Sequence, residues 1–297
     1  MDEVNDHNNT MHIVCAADAN YGAYAGITLS SVLNANADER IHLHLFSDGV
    51  NATDVTRMAR MACRAGAQFS TYDIKQKLEG PLKLPRCINA YYSRTMYSRL
   101  FLSNLLSQEI SQAIYLDCDV ICVENSRELW SFGEAVALLA AVRDVWVDKR
   151  QEHKASLGMP VESTYYNSGV LLINVEAWRR NKVGELLLDF LSQRETFDYP
   201  DQDTINGVLW RETVELPRRW NVGITSPIPG DAPAQLKTAA NIHFWGGVKP
   251  WHFGYRVLIG TGAESYRKAK AASPWRWRLP DFHLGRLRRK IREALST

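Results

Sequence analysis

The chain has 297 residues, 45% hydrophobic and 23% charged, with 35 Lys or Arg against 33 Asp or Glu and a formal net charge of +2. That length accommodates one large domain or two small ones with a substantial core, and the ordinary composition excludes a disordered or fibrous chain. The charge is split: residues 265–297 hold ten Lys or Arg against Asp281 and Glu293, a net of +8, which leaves −6 elsewhere, and an acidic main body argues against nucleic acid as a partner.

Met1 to Thr10 is polar and acidic and lacks the basic start and apolar stretch of a secretory signal. The apolar run Ala135 to Val142 is too short to cross a bilayer. The expectation is a cytosolic chain without a transmembrane anchor. Five cysteines, at 15, 63, 87, 118 and 122, have no paired spacing. Buried reduced thiols are expected rather than a disulfide framework or zinc site.

In chain order, His12–Ala17 reads as a short buried strand and Ala23–Asn34 as a helix. Ile41–Phe46 alternates as a strand. Asn51–Ala65 spaces Val55, Met58, Met61 and Ala62 on one helical side, and Gln68–Tyr72 is a further strand. This alternation predicts a mainly parallel α/β sheet. Ser93–Leu106 reads as a helix that delivers the chain into a strand over Ala113–Cys122. Ala135–Arg143 and Gly169–Val175 read as buried strands, Val175–Gln193 as one helix, and Asp203–Trp210 as a shorter one. Leu216–Gln235, rich in Pro and Gly, reads as loop. A terminal helix is expected from about Asp281, with Leu284, Leu287, Ile291 and Leu295 as its apolar stripe and basic residues between them.

The strand over 113–122 carries Asp117, Cys118 and Asp119. Residues two apart on a strand share a face, and two uncompensated anions on one buried face are expensive. A divalent cation removes that cost. Hard ions such as Mg²⁺ or Mn²⁺ take oxygen ligands, and a phosphate-bearing substrate completes their shell. Asp18, Asn20 and Tyr21 follow the first strand, where open α/β sheets bind ligands. They offer a nucleobase two hydrogen-bonding groups and a stacking face, although Asp and Asn also favour simple turns. Tyr165-Tyr166-Asn167-Ser168-Gly169 precedes a strand and Tyr199-Pro200-Asp201-Gln202-Asp203 a helix. Asp201 is either an N-cap or a partner for sugar hydroxyls. In Ile242–Trp251, His243 is a candidate third metal ligand, although a lone histidine is usually structural, Gly246 and Gly247 permit close backbone approach to phosphate, and Lys249 adds a point charge.

The strings AADANYGAYAG, YSRLFL, YLDCDV, YYNSGVLLIN, DQDTIN and HFWGGVKPW, spread over residues 11–255, resemble glycosyltransferase family 8. The likeness is to its bacterial lipooligosaccharide α-galactosyltransferase and lipopolysaccharide glycosyltransferase branch. The resemblance implies a GT-A fold, a Rossmann-like mixed but mainly parallel sheet flanked by helices. It also implies transfer of galactose or glucose from UDP-galactose or UDP-glucose with retention at the anomeric carbon. The metal implied is Mn²⁺, with Mg²⁺ as the other choice, held by Asp117, Asp119 and His243. Uridine contacts fall on Asp18, Asn20 and Tyr21, and diphosphate contacts on Gly246 and Lys249. Donor-sugar contacts fall on Arg99, Asp144, Asn167, Asp201 and Gln202, and of the two catalytic residues among them Gln202 stands nearest the reacting carbon while Asp201 stabilises positive charge on the sugar or holds a sugar hydroxyl. Gln202 is a poor nucleophile, so attack by the acceptor on the same face as the departing phosphate is favoured over a covalent intermediate. Three positions depart from the galactosyltransferase pattern: Ala19 replaces an acid, Tyr91 a histidine on the acceptor side, and Trp245 a small residue.

The expected organisation is a catalytic domain over 1–264 and a basic, Trp-containing amphipathic tail over 265–297 lying on anionic lipid. The enzyme would then sit on the inner face of the cell membrane and serve a lipid-linked saccharide acceptor. A self-glycosylating, glycogenin-like initiator and an inactive UDP-sugar or glycan-binding relative are the alternatives.

Overall fold

The structure, a computed structural model, describes residues 10–79, 86–87, 93–224, 232–255 and 262–282. Its strands are β1 (Met11–Asp18), β2 (Ile41–Asp48), β3 (Gln68–Asp73), β4 (Arg86–Cys87), β5 (Gln112–Leu116), β6 (Val120–Cys122), β7 (Leu139–Arg143), β8 (Tyr166–Asn174), β9 (Thr196–Phe197), β10 (Thr213–Glu215), β11 (Val222–Ile224) and β12 (Asn241–Phe244). Its α-helices are α1 (Gly22–Ala35), α2 (Ala52–Arg64), α3 (Lys75–Glu79), α4 (Leu102–Leu105), α5 (Arg127–Ser131), α6 (Gln151–Ser156), α7 (Val175–Arg180), α8 (Val183–Ser192), α9 (Pro200–Leu209), α10 (Ala232–Leu236) and α11 (Ala263–Ala271).

Seven strands form one sheet in the order β10-β7-β8-β5-β1-β2-β3. All neighbours are parallel except β8, which runs antiparallel to both β5 and β7. Alternation along β1 builds a core on each face. Ile13, Cys15 and Ala17 pack with α1, α2 and α11. Val14 and Ala16 pack with Tyr97, Leu100 and residues of α7, α8 and α9. A second sheet, β11-β12-β6, pairs β12 parallel to β11 and antiparallel to β6. The architecture is the GT-A type: a mixed, mainly parallel sheet flanked by helices.

Helix α2 shows how local chemistry sets a boundary. Asn51 is its N-cap and accepts from the Asp54 backbone N–H at 2.9 Å, while Asp54, Met58 and Ala62 are buried on one side.

Several expectations need correction. The strand over 113–122 is two strands, and Asp117, Cys118 and Asp119 form the turn between β5 and β6, closed by Val120 N–H donating to Asp117 O at 3.1 Å. Ser93–Leu106 begins as a 3-10 helix over Arg94–Phe101 before α4. Apolar spacing does not separate 3.0 from 3.6 residues per turn in so short a run. The helix over Val175–Gln193 breaks at Asn181–Lys182, where Lys182 has φ of 51°. Helix α9 starts at Pro200, whose fixed φ suits a first helical position. Asp201 and Gln202 therefore lie in its first turn, and Asp201 is not the N-cap. Leu216–Gln235 contains a 3-10 turn, β11 and the start of α10 rather than loop alone.

The boundary expected at residue 265 is not a break in packing. Tyr266 and Ala269 of α11 are buried, and Trp275 is 3% exposed within the core shared with α1 and α2. Its indole N–H donates to Asp54 Oδ1 at 2.7 Å, and its ring occupies the space where a Cβ on Gly26 would stand. The terminal helix expected from Asp281, with Leu284, Leu287, Ile291 and Leu295, lies outside the described residues, as does Tyr91.

Candidate active site

Strand directions gather the site. β1 and β5 are parallel, so Asp18 at the end of β1 and Asp117 just beyond β5 reach the same edge. β8 runs the other way, which puts its first residues, Asn167, Ser168 and Gly169, at that edge too. Asp117 N–H donates to Gly169 O at 2.8 Å. β7 ends at Arg143 opposite Tyr166 and delivers Asp144. In the second sheet His243 pairs with Val120, and Phe244 N–H donates to Asp119 O at 3.1 Å. That antiparallel pairing carries His243 across more than a hundred residues of sequence to the acid pair.

These segments line a cavity of about 440 Å³, within the usual range for a small-molecule site. Asp18, Tyr21, Arg99, Asp117, Asp119, Asp144, Asn167, Asp201, Gln202, His243, Gly246 and Lys249 all line it. Asn20 does not: it is exposed beside the cavity, its backbone N–H donating to Asp18 Oδ1 at 2.8 Å. Asp18 also accepts from Tyr21 N–H at 3.0 Å, so one of its oxygens closes a turn. Tyr21 stands edge-on to Trp251, ring centres 5.9 Å apart.

Asp117, Asp119 and His243 each offer a ligand atom within 4.8 Å of the others. His243 Nε2 lies 3.1 Å from Asp119 Oδ1 and 3.9 Å from Asp117 Oδ2. Lys249 Nζ pairs with Asp119 Oδ2 and donates to Phe244 O at 2.7 Å. Burial pushes the Asp119 carboxyl up, but Lys249 and His243 outweigh it and hold the group well below its usual range. Gly169 completes the fit. A Cβ there would lie 2.1 Å from His243 Cε1 and 2.9 Å from Asp117 Oδ2, so only glycine leaves room for this triad. Two carboxylates and an imidazole suit Mn²⁺ or Mg²⁺.

Arg99, 3% exposed, serves two acids. Its NH2 meets Asp117 Oδ1 at 2.6 Å, and its NH1 meets Asp201 Oδ2 at 3.1 Å and Ser168 O at 2.6 Å. Burial opposes its charge, but Asp117, Asp201 and the Tyr115 ring 4.5 Å beneath it outweigh that cost and raise its pKa. Asp201 goes the other way. Despite its ion pair, burial raises its carboxyl pKa, because the one guanidinium is shared with Asp117 and cannot fully offset desolvation.

Gln202 is held from both ends. Its Oε1 accepts from Asn167 Nδ2 and from Ser168 N–H, each at 3.0 Å, and its Nε2 donates to Asp144 Oδ2 at 3.2 Å. Asp203 is not part of the lining. Buried, it meets Tyr165 OH at 2.6 Å and His153 Nε2 at 2.7 Å, and accepts from Tyr199 N–H at 2.9 Å, which anchors the start of α9.

Sequence reasoning missed several contributors. Asn221 Nδ2 donates to Asn167 Oδ1 at 2.7 Å, and Asn221 Oδ1 lies 3.0 Å from His243 Nδ1. It sits in a stretch read as loop, with no pattern to mark it. Tyr115, whose hydroxyl donates to Asp117 Oδ1 at 3.2 Å, reads only as a strand residue. Ser168 and Gly169 stand inside a string already singled out. Trp146, 47% exposed, lines the cavity with Val147 and Tyr199, and no motif marked Trp146 or Val147.

The model of glycosyl transferase family 8 matches residues 12–254. The lipopolysaccharide 1,2-glucosyltransferase of Escherichia coli K12 is 29% identical over 276 residues, 90% of this chain and 79% of that protein. The lipopolysaccharide 1,3-galactosyltransferase of Salmonella typhimurium LT2 is 25% identical, covering 91% and 82%. The galactosyltransferase LgtC, solved with donor and acceptor sugar analogues, superposes with a TM-score of 0.73 at 27% identity, over 89% of this chain and 96% of that one. The chain is a glycosyltransferase and belongs to glycosyl transferase family 8.

Proposed function

We propose that this enzyme transfers galactose or glucose from UDP-galactose or UDP-glucose to a saccharide acceptor, with retention, in the assembly of lipopolysaccharide or lipooligosaccharide. The observation that carries the reading is the convergence of Asp117, Asp119 and His243 beside Lys249 in one cavity. The similarity to lipopolysaccharide glucosyl- and galactosyltransferases supports the substrate class.

Asp117, Asp119 and His243 would hold Mn²⁺ or Mg²⁺, which when bound offsets negative charge on the departing diphosphate. Lys249, now paired with Asp119, would turn its ammonium to the same phosphates, an electrostatic role that grows as UDP leaves. Gly246, at φ of 75° with nothing within 4 Å of a would-be Cβ, lets backbone approach the diphosphate. Asp18, Asn20 and Tyr21 would receive the uridine. Arg99, Asp144, Asn167, Asp201 and Gln202 would hold the sugar hydroxyls, and Trp146 offers an apolar face to a sugar ring.

Neither residue nearest the reacting carbon is a ready nucleophile. Gln202 Oε1 already accepts two hydrogen bonds, and Asp201 is engaged by Arg99 and by Ser168 Oγ at 3.0 Å. This favours same-face attack by the acceptor hydroxyl, its proton passing to the departing phosphate oxygen. Detection of a hexose covalently attached to Asp201 or Gln202 by intact-protein mass spectrometry would rule that route out. The function is tested by a UDP-sugar hydrolysis panel with Mn²⁺, followed by an acceptor screen. Absence of metal-dependent UDP release from every donor would point to a binding protein instead.

Among the described residues no helix is long and apolar enough to cross a membrane. The proposed place of action is the cytoplasmic face of an anionic membrane. Phe253, Trp277, Leu279 and Phe282 are exposed large apolar residues beside Arg276 and Arg278, and the Phe253 and Phe282 rings stack with centres 4.7 Å apart. Aromatic and basic groups together suit a lipid interface.

A further inference from the structure

Three histidines meet on β1 and β2, outside the lining of the catalytic cavity. His42 and His44 lie two apart on β2 and so share a face, and His12 on β1 is the register partner of His42. Asp18, at the cavity end of β1, is six residues along the strand from His12, a distance of about 20 Å. His12 and His42 therefore stand toward the ends of β1 and β2 that lie away from Asp18, with His44 two residues further along β2.

We propose that His12, His42 and His44 bind a divalent transition-metal ion of the zinc class, a second metal site distinct from the one at Asp117. One ring nitrogen from each lies within 4.8 Å of the others. His12 Nδ1 and His44 Nε2 face each other at 3.0 Å, close to the about 3.3 Å between two imidazole nitrogens around tetrahedral zinc. Zinc would stand between them, and a small turn of His42 would bring in its nitrogen.

The surroundings resemble those of ligating histidines. The other nitrogen of His44 is 2.9 Å from Tyr72 OH, a partner that holds the ring with Nε2 aimed at the cluster. His42 Nε2 meets Ser70 Oγ at 2.8 Å. Neutral lone pairs are available. Burial, with His42 and His12 beside it, pushes the His44 pKa down to about 2, and burial lowers that of His42. His12 and His42 are only half-buried, which leaves a fourth position open to water. Three imidazoles without a carboxylate select zinc, cobalt or nickel over Mn²⁺ or Mg²⁺, the reverse of the acid-rich cavity. The two sites would take different metals from the same solution.

The test uses full-length protein carrying Asp119→Asn, so that zinc binding at the cavity is weakened. After chelator treatment it is titrated with Zn²⁺ against a chromophoric chelator in excess Mg²⁺. The expected result is one zinc per chain, and Co²⁺ in its place gives the intense visible absorption of a four-coordinate site. Adding His42→Gln or His12→Gln weakens zinc binding by at least about tenfold. Circular dichroism of the metal-free variants identifies any that fails to fold, and the other carries the test. Failure of the Asp119→Asn protein to bind stoichiometric zinc, or equal zinc affinity with and without the histidines, overturns the proposal.

Discussion

The indole N–H of Trp245 lies 2.7 Å from His243 Nδ1. An indole N–H only donates, so in this arrangement Nδ1 accepts and the ring proton sits on Nε2, facing Asp119 Oδ1 at 3.1 Å. Metal ligation through Nε2 needs the other tautomer, with Nδ1–H donating to Asn221 Oδ1, 3.0 Å away. Trp245 and a metal bound at Nε2 would thus favour opposite tautomers of one histidine.

Trp245→Phe should therefore tighten Mn²⁺ binding. One hydrogen bond is worth about 1 kcal/mol, or roughly fivefold in affinity. In the native chain the indole signal of Trp245 should move as Mg²⁺ is added in a ¹H–¹⁵N spectrum. Unchanged or weaker Mn²⁺ affinity in the variant would show that the indole does not oppose the metal.

Gly169→Ala should sharply reduce activity while the chain still folds. The added Cβ would meet His243 and Asp117 inside van der Waals contact, and displacing them costs about 1–3 kcal/mol of strain at the site. A loss of about a hundredfold or more in kcat/KM is expected, with metal affinity lost in parallel. Gly246→Ala is the contrast. It meets no atom within 4 Å but must hold φ of 75°, a strain of about 1 kcal/mol, so a loss of about tenfold or less is expected. Steady-state kinetics and Mn²⁺ titration on both proteins decide it.

Arg99→Lys should weaken both stability and turnover. One ammonium cannot reach Asp117, Asp201 and Ser168 O as the guanidinium fork does. Leaving a buried carboxylate poorly compensated costs about 2–4 kcal/mol. Urea unfolding should show that loss, and kcat should fall about a hundredfold even where the protein remains folded.

Trp275 and Trp277 should separate structure from surface. Trp275→Ala removes a buried ring and the donor to Asp54, at a cost of about 3–5 kcal/mol in urea unfolding. Trp277, 83% exposed, should be neutral for stability. Trp277→Ala together with Phe282→Ala should instead reduce binding to anionic vesicles in a flotation assay. Vesicle binding that survives both changes would move the contact elsewhere on the chain.

The alternation of apolar runs, helical spacings and turns was enough to predict a mainly parallel α/β sheet, because those periods follow from local backbone geometry. Boundaries were less legible where they depend on contacts. Asp117 and Asp119 read as same-face residues of one strand, yet they occupy a turn. Their carboxylates converge because Gly169 and His243 come up beside them. Residues 175–193 read as one helix, and only the left-handed Lys182 divides it. Trp275 read with the basic tail because its neighbours Arg276 and Arg278 are charged. The groove over Gly26 that receives it is assembled from residues some 250 positions away.

By itself, the sequence determined the chemistry on offer: an acid pair, a distant histidine and lysine, and the acids and amides that line the same cavity. Those are residue identities, readable one string at a time. Which groups meet was decided by the tertiary structure. The antiparallel course of β8 and the pairing of β12 with β6 bring Asn167, Gly169 and His243 to the end of β5. The parallel register of β1 and β2 places His12 beside His42 and His44. Arg99 is divided between two acids, and Trp245 is set against His243. Such relations depend on strand direction and register, which long-range packing sets and no local pattern encodes.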